Sequence, residues 1–123
     1  WNINYGHYLA DSRRFSEALA VFRIAVDLTE APGIKAEAHL ERGTVLSRNL
    51  DEPLPALDEY MSVIESYPVE PFIENALFSA GLINMELGEK KRALDLFTRY
   101  MDGYPEGAHR DTVEVFIRTL EKD

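Results

Sequence analysis

The side chains best suited to proton transfer or metal binding near neutral pH are His7, His39 and His109. No two of them have the i, i+4 spacing that sets a pair of imidazoles on one helix face, and no HExxH stands in the chain. Each reads as a packing or surface histidine, so no metal is expected. Two carboxylate pairs, Asp51-Glu52 and Asp58-Glu59, are adjacent and project in different directions. They read as solvated charges and not as a general acid and base sharing one substrate. There is no G-x-S-x-G, no P-loop and no G-x-G-x-x-G. Glu89-Lys90-Lys91-Arg92 holds the only basic cluster, beside Gly88, where a solvated turn accounts for it. These residues assemble no catalytic constellation, and no cofactor is expected.

The elements that would position these residues are helical. Apolar side chains recur at i+3/i+4 in Leu19, Phe22 and Val26, in Leu57, Tyr60 and Ile64, and in Leu94, Phe97 and Met101. No stretch alternates long enough for a strand. Asp51 with Pro53 reads as an N-cap followed by a proline in the first turn. Gly88 reads as a left-handed helix closure. Ala31-Pro32-Gly33, Tyr67-Pro68 and Tyr104-Pro105 read as helix ends, since proline disfavours helix in the residue before it. The spacing predicts seven helices over about 2–12, 16–30, 35–49, 53–66, 70–87, 90–102 and 108–121.

A repeat organises them. Ala18–Phe22–Pro32, Ala56–Tyr60–Pro68 and Ala93–Phe97–Pro105 share one pattern, and Gly6, Gly43 and Gly81 precede the alanines by 12 or 13 residues. A period of 37 to 38 residues signals stacked units. A mid-helix glycine costs about 1 kcal/mol against alanine, so three in phase indicate that another helix comes close there. The alanines keep the facing position small, and the aromatic rings are expected to fill the space between successive hairpins.

With these residues the chain resembles the tetratricopeptide repeat family, whose pattern runs W-x2-L-G-x2-Y, then A-x3-F, then P. The first half reads Asn2-x2-Tyr5-Gly6-x2-Leu9, His39-x2-Arg42-Gly43-x2-Leu46 and Leu77-x2-Ala80-Gly81-x2-Asn84. The second half is closer, in Phe15 to Leu19, in Ala56-Leu57 and from Gly88 through Arg92-Ala93-Leu94. Asn2, His39 and Leu77 depart from the family's tryptophan. Tyr100 replaces a small residue, and the second unit carries one extra residue around Leu50–Pro55. The Tyr-Pro closures are similar to repeats of bacterial envelope members. The resemblance implies an all-α, right-handed α-solenoid. It would be a single domain over 1–123, with units 1–34, 35–68 and 69–105 and a terminal helix 108–121.

The resemblance also implies a binding groove along the first helices of the units. Carried over by phase, it points to Ile3, His7 and Ala10, then to Leu40, Thr44, Ser47 and Arg48. Phe78, Leu82 and Met85 follow in the third unit, with Thr112 and Phe116 in the last helix. Arg48 and Asn75 are the nearest counterparts of a carboxylate clamp, and they are isolated. The lining is mostly apolar and would suit an extended peptide or an amphipathic helix. Phe78, Leu82 and Met85 would equally serve packing on a neighbouring hairpin or the last helix. The expected function is therefore a non-catalytic protein-binding module.

Charge narrows the partner. The chain carries −9 with pI near 4.8. This argues against nucleic acid and anionic lipid, and for a basic or neutral protein surface. The second unit is the most acidic, through Glu37, Glu41, Asp51, Glu52, Asp58, Glu59 and Glu65. The sequence has no cysteine and no run long enough to insert in a bilayer, and it shows no signal peptide. The cytoplasm and a bacterial periplasm or envelope fit equally. Trp1, Ile3 and Tyr5 would be costly at an exposed end. They support the alternative of a self-associating or spacer segment of a longer array. An accessory domain of a larger enzyme is a further alternative, which no residue here supports.

Overall fold

A computed structural model describes residues 3–122 of the chain. It is all-α, with seven α-helices and no strand among the described residues. They are α1 (Asn4–Asp11), α2 (Phe15–Leu28), α3 (Pro32–Thr44), α4 (Pro53–Glu65), α5 (Phe72–Glu86), α6 (Lys90–Gly103) and α7 (Arg110–Glu121). Each packs on its predecessor and successor in the chain, and α3 also touches α5. Trp1 and Asn2, with the expected start of the first helix, lie outside the described residues.

The three glycines are explained by the rings opposite them. A Cβ on Gly6 would stand 2.5 Å from Phe22, and one on Gly43 would stand 2.7 Å from Tyr60. Gly81 meets Phe97 in the same way. Each ring therefore lies on the glycine of its own hairpin, where the sequence placed it between hairpins. Ala18, Ala56 and Ala93 are wholly buried, as are Phe22 and Phe97. Burying one such ring stabilises by about 1.5–3 kcal/mol, more than the helix propensity the glycine gives up.

The turns inside the hairpins repeat as well. Arg13, Asp51 and Gly88, each five residues before the repeat alanine, have φ of 62°, 53° and 80°. After each, one backbone N–H closes the turn at 2.8 Å: Arg14 to the carbonyl of Leu9, Glu52 to Leu46 and Glu89 to Asn84. The second turn spans one more residue. A π-helical turn over Val45–Asn49, continuing α3, takes up that residue so that the same bond still forms. Two readings are corrected here. Asp51 is the left-handed residue and not an N-cap; Glu52 holds the cap position before Pro53, with no side-chain capping bond. Pro32 opens α3 instead of ending α2, since a proline at the first helical position gives up an N–H that has no partner there anyway.

Candidate functional site

Polar side chains tie neighbouring helices together along the first two hairpins. His7 Nε2 lies 3.0 Å from Glu37 Oε2, and its Nδ1 lies 3.6 Å from Glu41, so α1 is bridged to α3. Burial pushes the Glu41 carboxyl above its ordinary value; Glu37 adds to this and His7 opposes it. One hairpin further on, His39 Nδ1 lies 2.8 Å from Glu59, to which Arg42 Nε donates at 3.1 Å. Arg42 also donates to the carbonyl of Leu19 at 2.5 Å, which joins α2, α3 and α4. Burial alone would raise Glu59, but His39 and Arg42 more than offset it and hold the carboxyl low. His39 also stacks on Tyr67 at 5.5 Å. Glu37, Glu41 and Glu59 are thus engaged within the chain, which leaves less of the second unit's charge for a partner.

Of the expected groove residues, Leu40 is buried in the main core. Thr44 donates to the Leu40 carbonyl at 3.1 Å and lies 3.3 Å from the Tyr60 hydroxyl, which is equally far from Ser47. Phe78 is covered by His109, the rings parallel and 3.9 Å apart. Phe116 leans on Phe97 at 5.7 Å, and Met85 packs on the main core. His7 is half-buried in its bridge. Arg48 and Asn75 are exposed. Arg48 and Leu82 do come together. They line a crevice of about 200 Å³ between the end of α3 and α5, with Ser47, Tyr60, Ser79 and Glu86. This lining mixes charge and hydroxyls with apolar surface.

A larger cleft, missed from the sequence, opens between α4 and α6 with a volume of about 460 Å³. Leu57 and Met61 form one wall, Leu96 the other, and Asn84 of α5 the floor. Lys91, Arg92 and Arg99 surround it with a single carboxylate, Asp95. The i, i+7 pair Arg92 and Arg99 was the available signal, hidden because the basic run read as a solvated turn.

The third hairpin is joined to α7 by a buried hydroxyl. Tyr100 donates to Glu74 Oε2 at 2.6 Å and accepts from the His109 N–H at 2.9 Å. The Ala108 N–H donates to the same carboxylate oxygen at 3.1 Å. Burial, then the Glu74 carboxylate, pushes the Tyr100 phenol up to about 12. Tyr104 donates likewise to Glu70. Among the described residues, no three His, Asp or Glu side chains are grouped to hold a metal ion. No helix among the described residues is long and apolar enough to cross a membrane. No family model, curated protein or solved structure matches the chain.

Proposed function

We propose that the chain is a non-catalytic protein-binding module of the tetratricopeptide-like kind, a right-handed solenoid of three hairpins and a terminal helix. The observation that carries this reading is the glycine–ring contact made in each of the three hairpins. Equivalent hairpins that stack on one another set their first helices side by side, and arrays of this kind bind along such a surface. The crevice at Arg48 and Leu82 is where an extended peptide would insert a side chain, and the acidic surface favours a basic partner.

The test is partner capture with the native chain and with Arg48→Glu/Leu82→Glu. Both positions lie outside the glycine–ring contacts, so the double variant should fold. Loss of a partner that the native chain retains supports the crevice; equal recovery from a folded variant removes it. Phe78 is unsuitable for this purpose, because replacing it would unseat His109.

A second reading, self-association, rests on the first hairpin. Tyr5, Tyr8, Ile24 and Leu28 there are 54%, 59%, 44% and 67% exposed. Sedimentation equilibrium decides it: a concentration-dependent mass abolished by Tyr8→Glu/Leu28→Glu supports it, and a monomer at every concentration ends it.

A further inference from the structure

Asn84, which lines the cleft between α4 and α6, carries an unmet hydrogen-bond acceptor. Asn84 is 2% exposed, and its Nδ2 donates to the Ala80 carbonyl at 2.9 Å. Its Oδ1 is buried and accepts from no donor. The equivalent positions in the first two hairpins, defined by the same turn-closing bond, hold Leu9 and Leu46, both buried. Leucine thus fills this place twice. In the third hairpin an amide stands there instead, under a cleft. A buried acceptor left without a donor costs about 1–3 kcal/mol, and the residue that would avoid the cost is used in both sister units.

The surroundings define what would meet that acceptor. The walls at Leu57, Met61 and Leu96 are apolar, so the entering group must be largely apolar and carry one donor. A tryptophan N–H or a tyrosine O–H on its ring has that composition. The Met61 thioether favours an aromatic neighbour, and Arg92 and Arg99 can lie against ring faces. Around the mouth stand three cations and one carboxylate, in a chain of net charge −9. Arg92, Arg99 and Lys91 enter no ion pair among the described residues. The local field is therefore opposite in sign to the whole molecule's, and the segments flanking the ring should be acidic.

We propose that this cleft binds a peptide segment of a partner protein in which a tryptophan or tyrosine is flanked by Asp and Glu. The ring fills the space over Leu57, Met61 and Leu96. Its donor bonds Asn84 Oδ1 as the side chains that cover this buried oxygen part, and the flanking carboxylates meet Arg92, Arg99 and Lys91. The site is distinct from the crevice at Arg48 and Leu82, and its occupancy does not depend on that surface.

Fluorescein-labelled Glu-Asp-Trp-Glu-Asp serves as the probe, read by anisotropy against the full chain. Saturable binding is expected. It should weaken about tenfold when phenylalanine replaces tryptophan, the loss of one donor to a buried acceptor. It should be lost when lysines replace the flanking acids. Arg92→Glu/Arg99→Glu, at two exposed positions, should abolish binding with the circular dichroism spectrum unchanged. Asn84→Leu, which restores the residue of the sister hairpins, should keep the fold and erase the advantage of tryptophan over phenylalanine. The Asn84 side-chain amide resonances should shift on titration, and a repeat with Arg48→Glu/Leu82→Glu should give the same affinity. Absence of saturable binding overturns the proposal, as does binding that survives the charge reversal. Equal binding of the tryptophan and phenylalanine peptides would overturn the anchor.

Discussion

Gly81 and Tyr100 show how one side chain can fix a joint. Gly81 leaves the space that the Phe97 ring occupies. Gly81→Ala should therefore destabilise the chain, although alanine is the better helix former. Overpacking typically costs about 1–3 kcal/mol. If the ring is the cause, Phe97→Leu should remove much of that cost. A double-mutant cycle by urea unfolding checks this, with a coupling of about 1 kcal/mol or more expected between the two positions; additive costs would refute the contact as the cause. Tyr100 acts through its proton. A phenol whose pKa is raised on folding contributes stability that is whole below its ordinary value of 10.0 and is lost as pH rises through about 12. The native chain should accordingly lose stability across that alkaline window. Tyr100→Phe should lose about 1–2 kcal/mol at neutral pH, because Glu74 and the His109 N–H forfeit their partner. The variant's alkaline loss should be correspondingly shallower. Unfolding midpoints measured from pH 8 to 12 test both statements.

Helices and turns carry a different kind of information. Gly88 and Gly33 both have open space where a Cβ would go, but only Gly88 has positive φ, at 80°. A side chain in that left-handed conformation costs about 1–2 kcal/mol, whereas Gly33, in the first turn of α3, gains helix propensity from one. Gly88→Ala should lower the thermal midpoint and Gly33→Ala should raise it; a like sign for the two would contradict the turn geometry. This contrast also explains what could be read from the sequence. The helices were legible because their apolar spacing is local, and Gly88 because glycine is the usual left-handed residue. Arg13 and Asp51 occupy the same conformation without announcing it, since only the surrounding turn imposes it. Asp51 near Pro53 has the composition of a cap, and Pro32 that of a stop, so both misled. The extra residue of the second unit was visible, but its place in a π-helical turn depends on the bond from Glu52 to Leu46. The site was less legible for the same reason. Arg48 and Leu82 were named by phase, and the crevice they share depends on how α3 meets α5. Asn84 could be seen as the odd residue of its series, while its burial and unmet oxygen belong to tertiary structure.

At the scale of the whole molecule, the core is divided. Leu9, Ala18, Phe22, Ala25 and Ala38 form one cluster, and the buried residues from Ala36 and Leu40 to Leu120 form another and larger one. The first hairpin joins the remainder through α3 and the π-helical turn that continues it, with Leu19 of α2 packed against the larger cluster. Part of that joint is polar, made by His7 with Glu37 and Glu41 and by Arg42 with the Leu19 carbonyl. Polar contacts across a half-exposed seam add little net free energy, since each exchanges with water. The third hairpin is held differently. Phe97 is covered by Phe116 of α7, and Tyr100 is locked to Glu74 and to the His109 N–H. Stacked units that meet only their neighbours can open separately, each at a free energy set by its own contacts. Native-state hydrogen exchange should then separate the two ends. The amides of Phe22 and Ala25 should exchange through an opening at least about 1 kcal/mol below the one that exposes Phe97 and Tyr100. Arg42→Ala should widen that gap, because it removes the bond to Leu19 and leaves Glu59 with His39 alone. If all four amides exchanged at one free energy, and fell together in Arg42→Ala, the chain would unfold as a single unit and the divided core would carry no energetic meaning.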